Sequence, residues 1–235
     1  MSPTNVAYLQ KHNPWLKEKP VEVCPNSIEP VEEVTDKENT LRTQYNIPAE
    51  ATLYIYGGNL GKPQGLDFLT EVLEKNNNKA DRFFIVIGSG TEKQRLTDWF
   101  QSHQLSNAIM LDWLPKDEYD QLVRSCDVGL IFLDRRFTIP NYPSRLLSYL
   151  EYKMPVVIAS DANTDVGPIA EQNGYGLWAE HGDIEKFTAL IDVFCKSPEL
   201  KMRMGEKGHR YLMENYTVER SYEVIMRRVG CPLTP

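Results

Sequence analysis

The 235-residue sequence predicts a doubly wound, mostly parallel α/β sheet, and three observations lead there. Apolar runs at 52–56, 83–87, 108–111, 128–132 and 156–159 are continuous rather than alternating. That is the pattern of strands covered on both faces. Helical patterns separate the runs, at 66–75, 91–103, 116–125, 144–153 and 166–173. Strand–helix alternation of this kind builds a parallel sheet with right-handed crossovers. Composition agrees: 41% hydrophobic and 25% charged residues suit an ordinary globular chain.

The first 20 residues do not read as the start of this sheet. Val6-Ala7-Tyr8-Leu9 and Trp15-Leu16 suit an amphipathic helix, which Pro14 and Pro20 interrupt. Val21-Glu22-Val23-Cys24 reads as a short strand that ends at Pro25-Asn26, and a helix is expected from about Asp36 to Tyr45. The regular α/β pattern begins at Ala51. After Gly174-Tyr175-Gly176-Leu177-Trp178, three helices close the chain, at about 184–196, 198–214 and 218–228. The division is therefore 1–20 as a trailing helix and linker, 21–228 as the folded unit, and 229–235 as a tail.

In such sheets ligands sit beyond the carboxyl ends of the strands, so the strand-to-helix loops are the place to look. The first, 57–65, carries four glycines (Gly57, Gly58, Gly61 and Gly65), with Asn59, Lys62 and Gln64 as donors. Glycine lets a backbone approach a ligand closely. The loop lacks the G-x-x-x-x-G-K-[ST] order of a Walker A motif. The second, Gly88-Ser89-Gly90, has Lys93 where a dinucleotide fingerprint needs a third glycine; a tight turn that exposes amides to a base or phosphate fits better. The third, Asp112-Trp113-Leu114-Pro115, holds a tryptophan that is either core or a partner for a nucleobase. The fourth, 134–142, is long and polar and includes Asn141 and Tyr142.

That fourth loop leads into the most informative segment, 143–159, a helix running straight into a buried strand. Pro143 suits a helix start. Leu146, Leu147 and Leu150 form one stripe, with Ser144, Ser148 and Glu151 on the adjoining one. Glu151 stands seven residues, roughly 10 Å, along the helix from its N-terminus. Amides at that terminus favour an anion. A diphosphate there, with ribose hydroxyls at Glu151, is the arrangement a sugar nucleotide needs. A plain solvated glutamate is the competing reading.

Charge and composition narrow the class. A net charge of −7 lacks the basic excess of a nucleic-acid binder. No apolar run approaches the ~20 residues of a membrane span, and no signal-like apolar core opens the chain. Cys24, Cys126, Cys195 and Cys231 are dispersed, as are His12, His103, His181 and His209, so neither a disulfide framework nor a metal site is legible. No metal or other cofactor is expected.

The loops, in this order, resemble the C-terminal half of GT-B-fold glycosyltransferases of the large retaining family 4, over roughly Val21 to Arg228. Tyr56-Gly57-Gly58-Asn59-Leu60-Gly61-Lys62-Pro63-Gln64-Gly65 is similar to that family's glycine-rich donor loop, and Ile85-Val86-Ile87-Gly88-Ser89-Gly90 to its next loop. Cys126-Asp127-Val128-Gly129-Leu130-Ile131 resembles a further strand, and 150–157 resembles the end of its E-x7-E motif. The resemblance implies a Rossmann-like domain, one half of a GT-B fold, that binds a nucleoside diphosphate sugar, a UDP-sugar, as donor. By it Glu151 holds the donor ribose, and Gly58, Asn59, Gln64, Gly88, Ser89, Trp113, Leu114, Asn141, Tyr142, Pro143 and Ser144 line the donor.

This chain departs from the motif in three places. Pro143 stands where the first glutamate belongs, Asn59 where arginine is usual, and Gln64 where lysine is usual. Lys62 and Arg145 are then the cations that neutralise the leaving diphosphate. The variant resembles the branch containing amino-sugar transferases of bacterial surface polysaccharides such as capsule or O-antigen. The resemblance further implies an acceptor-binding domain before this one, carrying the catalytic histidine, and an isolated fragment without activity. A glycan or lipid-linked acceptor, a cytoplasmic location and peripheral association of the longer enzyme with a membrane follow from it. Two other readings stay open, a nucleotide-binding module without catalysis and a sugar-nucleotide-modifying Rossmann enzyme.

Overall fold

The computed structural model describes residues 2–31 and 40–230. Its centre is a sheet of six parallel strands: β1 Thr52–Asn59, β2 Arg82–Ser89, β3 Ala108–Leu111, β4 Val128–Phe132, β5 Val156–Ser160 and β6 Gly176–Glu180. The order is β3-β2-β1-β4-β5-β6, so the winding reverses between β1 and β4. A doubly wound sheet opens its ligand crevice at that reversal.

Helices cover both faces, as the continuous apolar strands require. On one face, Leu53, Ile55, Ile85 and Ile131 meet α5 (Lys116–Arg124), α6 (Arg145–Glu151) and α7 (Val166–Asn173). On the other, Tyr54, Tyr56, Phe84 and Phe132 meet α3 (Leu66–Lys75), α4 (Lys93–Ser102) and α8 (Ile184–Lys196). Tyrosine and phenylalanine each bury a large area, so this second layer rests on few, bulky side chains. α9 (Pro198–Asn215) and α10 (Val218–Val229) finish the chain. Local chemistry sets the ends of these helices. Asp183 caps α8 through the Lys186 amide at 3.0 Å, and Thr217 caps α10 through the Arg220 amide at 3.3 Å.

The predicted elements from 51 to 173 stand within a few residues of their expected bounds. Two expectations need correction. Val21-Glu22-Val23-Cys24 joins no sheet. Within this arm the backbone pairing is a single parallel bridge, Ile28 to Thr217, beside α10. A short alternating run such as this one becomes a strand only if a neighbour supplies a ladder, and none lies there. Conversely, 176–180 is a strand at the sheet edge. No element is expected there; Gly176 fits because Val156 of β5 passes beside it, and a Cβ there would lie 2.6 Å from the Val156 Cγ2. The helix expected from Asp36 begins outside the described residues; its described part is α2, Thr40–Gln44.

At the amino terminus, α1 (Pro3–His12) docks on the same body. The Thr4 amide donates to the Asp165 carboxylate at 3.1 Å, and the Asn5 side-chain amide donates to the Pro140 carbonyl at 2.6 Å. Asp127, just before β4, fastens the opposite end of the sheet. Its carboxylate accepts from the Leu53 amide of β1 at 2.9 Å and pairs with Arg42 at 3.3 Å.

Buried tyrosines give the fold a pH limit. Burial raises the hydroxyl pKa of Tyr54, Tyr142, Tyr149, Tyr175 and Tyr216, and pushes Tyr119 up to about 12. Each group stays protonated in the folded chain while its unfolded counterpart ionises near pH 10. Above that point the unfolded state binds fewer protons, so stability falls as pH rises. Thermal melts should hold steady to about pH 9.5 and drop steeply beyond it. The share of tyrosinate absorbance that comes from these buried groups should appear together with unfolding rather than before it.

Candidate functional site

The crevice is built from strand ends. β1 finishes with Gly57-Gly58-Asn59 and β2 with Gly88-Ser89, paired Gly58 to Gly88 and Asn59 to Ser89. The two chains approach so closely that a Cβ on Gly88 would sit 1.8 Å from the Gly58 carbonyl oxygen. Glycine therefore lets the two backbones close up along this edge, where Gly58 is exposed and Gly88 is buried against it. Ile87 pairs with Leu111, which sets the 112–115 loop beside the Gly88 turn. Trp113 on that loop is 66% exposed. Of its two readings, core is excluded, and the indole is free to meet a ligand.

α6 closes the crevice from the side. Arg145 crosses to β1: its guanidinium lies 4.6 Å from the centre of the Tyr56 ring, donates to the Gln64 side-chain oxygen at 2.5 Å, and passes 3.8 Å from where a Cβ of Gly58 would be. Nη1 of Arg145 is buried and has no hydrogen-bond partner. A buried donor left open is costly unless something accepts from it. Gln64 and Gly58 thus lie together with Arg145.

The start of α6 is tighter than an ordinary helix end. Leu146 donates to the Pro143 carbonyl at 3.2 Å and Leu147 to the Ser144 carbonyl at 3.0 Å. Ser144 is exposed and makes no side-chain cap. A helix of only two turns carries a weak terminal field, so positive charge in the crevice rests on Arg145.

The remaining expected residues divide. Ser89 and Asn59 are exposed at the strand ends, Asn141 and Leu114 are half-buried, and Pro143 is buried. Tyr142 is corrected: it is a core residue. Its hydroxyl is 2.5 Å from that of Tyr216, within a ring cluster that also holds Tyr175 and Tyr211. Lys62 does not join Arg145. It is exposed and lines a second cleft of about 620 Å³ with Leu66, Asp67, Glu92, Arg95 and the 134–137 loop.

Glu151 differs from expectation in a revealing way. It is 8% exposed, and its Oε1 already accepts the Val31 amide at 3.0 Å. The solvated reading is excluded. The carboxylate is a buried acceptor shared with the N-terminal arm.

Sequence reasoning missed two tyrosines that shape the floor. Tyr149 accepts from the Gly57 amide at 3.1 Å and donates to the Ile55 carbonyl at 3.3 Å. The Tyr119 hydroxyl takes the space beside Gly57, 2.1 Å from where a Cβ there would be. Nothing local in the sequence signals either contact. Tyr149 and Lys153 stand at the Tyr-x-x-x-Lys spacing used by some sugar-nucleotide-modifying enzymes, but they do not act together: Tyr149 is fully buried on backbone, and Lys153 pairs with Glu206 at 3.0 Å. Among the described residues no cluster of three or more His, Cys, Asp or Glu is arranged for a metal ion, and no helix is long and apolar enough to cross a membrane.

The fold recurs among known proteins. The chain is 27% identical over 178 residues to the "Putative colanic acid biosynthesis glycosyl transferase WcaI" of Escherichia coli K12, covering 74% of this chain and 43% of that protein. It is 24% identical over 200 residues to the Escherichia coli "O-antigen biosynthesis glycosyltransferase WclY", covering 82% of this chain and 50% of that protein. The chain thus spans about half the length of the curated relatives it matches. A glycosyltransferase from Rickettsia africae shares the fold with a TM-score of 0.77 at 14% identity, over 95% of this chain and 60% of that one. Anabaena HepE, solved in complex with UDP, shares it with a TM-score of 0.67 at 16% identity, over 81% and 51%. The profile described as "Glycosyl transferases group 1" matches residues 37–211, and the chain belongs to that family.

Proposed function

We propose that this chain is the donor-binding domain of a retaining glycosyltransferase that takes a sugar from a nucleoside diphosphate sugar, a UDP-sugar, and passes it to a surface-polysaccharide or lipid-linked glycan. The observation that carries the reading is Arg145, a cation with a buried open N–H, set against the side-chain-free strip of Gly58 and Gly88. A diphosphate on that strip meets a fixed cation without displacing a side chain. As the anomeric bond breaks, charge grows on the departing diphosphate, and a preorganised donor stabilises it most at that moment. In this proposal exposed Trp113 stacks on the base and Glu151 takes a ribose hydroxyl. No metal is assigned a part. The names of WcaI and WclY, and the UDP held by HepE, support the polysaccharide and nucleotide parts of this reading. The acceptor, and the histidine that contacts the sugar, belong in this proposal to a preceding domain that closes on this one.

Calorimetric titration of the chain with UDP, GDP and NAD is the test. UDP should bind and NAD should not; silence with every diphosphate would leave a module of another kind. Within the same titration, Glu151→Ala should weaken UDP about three- to fivefold, and loss of the Val31 amide's acceptor should cost about 1 kcal/mol of stability while the fold persists. The effect on UDP is modest because the ribose hydroxyl's bond to the carboxylate replaces one it made to water. An unchanged affinity would remove Glu151 from the site.

A further inference from the structure

The second cleft at the same sheet edge has a composition the nucleotide reading does not use. It is about 620 Å³, within the range of ligand pockets. Three cations line it, Lys62, Arg95 and Arg136, and three carboxylates, Asp67, Glu92 and Asp134, so its formal charge cancels. The arginines are spoken for. Arg95 bonds Asp67 at 2.9 Å and Glu92 at 2.7 Å; Arg136 bonds Asp134 at 2.5 Å and reaches Asp67 at 3.7 Å. The Arg136 guanidinium holds the Asp134 carboxyl below the usual range, so it stays an acceptor. Beside these planar pairs stand Leu66, Pro63 and the 40%-exposed ring of Phe137.

With its formal charge cancelled and both arginines engaged by carboxylates, this surface offers an anion little beyond Lys62. It suits a neutral ligand rich in hydroxyls. Each hydroxyl both donates and accepts, and fixed carboxylate–guanidinium pairs present acceptors and donors side by side. An aromatic face next to them matches the apolar face of a sugar ring. We propose that the cleft is a subsite for a neutral glycan, separate from the nucleotide crevice and divided from it by the 57–65 loop. The further role of that glycan, as the acceptor or the growing chain, rests on the proposed function; the binding does not.

Saturation-transfer NMR on the full chain tests it, with lactose, N,N′-diacetylchitobiose and maltotriose as probes, with and without UDP. At least one probe should receive transfer, and saturating UDP should not displace it. Phe137→Ser, at an exposed position, should weaken that probe about fivefold and leave UDP affinity unchanged. Silence with all three sugars, displacement by UDP, or full retention in Phe137→Ser would overturn the subsite. Sugar binding without any UDP binding would instead overturn the proposed function and leave the subsite standing.

Discussion

Arg145→Ala should lower the affinity of this chain for UDP by about thirtyfold, the largest loss expected of any single substitution in the crevice. A hydrogen bond to a charged group contributes about 1.5–3 kcal/mol, and tenfold in affinity is about 1.4 kcal/mol. The removed guanidinium also leaves the Gln64 side-chain oxygen without its 2.5 Å partner and uncovers the Tyr56 ring. Arg145→Lys is the sharper variant. It keeps the charge and loses the fork that reaches Gln64 and a ligand together, so it should recover only part of the loss. High salt should weaken wild-type binding and affect Arg145→Ala much less. Calorimetry at two ionic strengths decides the matter: equal affinity in the wild type and Arg145→Ala would move the diphosphate elsewhere.

Gly88→Ala should be the most damaging change to the frame of the site. The new Cβ would fall 1.8 Å from a backbone oxygen, that of Gly58, which cannot swing aside as a side chain does. β1 and β2 would have to part where they are paired, Gly58 to Gly88. Overpacking of this kind costs typically 1–3 kcal/mol, occasionally more. Taking about 3 kcal/mol, the melting temperature should fall by about 6–12 °C for a chain of this size. UDP affinity should fall with it, because the strip itself is displaced. Scanning calorimetry reads the first effect. A melting temperature within a degree or so of wild type would show that the strands accommodate the methyl group.

The frame was largely legible because buried parallel strands leave a strong local signal. Runs such as Phe83-Phe84-Ile85-Val86-Ile87 are apolar for reasons contained within themselves. Proline, glycine and asparagine at the helix ends placed α3, α7 and α8 at their expected bounds. What failed was settled by distant partners. Val21 to Cys24 has the composition of a strand and no sheet beside it. Tyr142 and Tyr149 look alike in sequence. One is drawn into the core by Tyr216, 74 residues away, and the other to the crevice floor by Gly57. Lys62 and Gln64 are two residues apart on one loop, yet only Gln64 meets Arg145. The glycines were the most useful site signal, since the close approach of Gly58 and Gly88 is what glycine alone permits.

The amide of Val31 on Glu151 changes what that carboxylate can contribute. A carboxylate has roughly four lone-pair sites on its two oxygens, so a hydroxyl can bind beside the amide rather than replace it. The added bond replaces one the hydroxyl already made to water, so it yields little net free energy. Its return is alignment: a ligand held there gains a fixed register along α6, while its tightness comes from elsewhere.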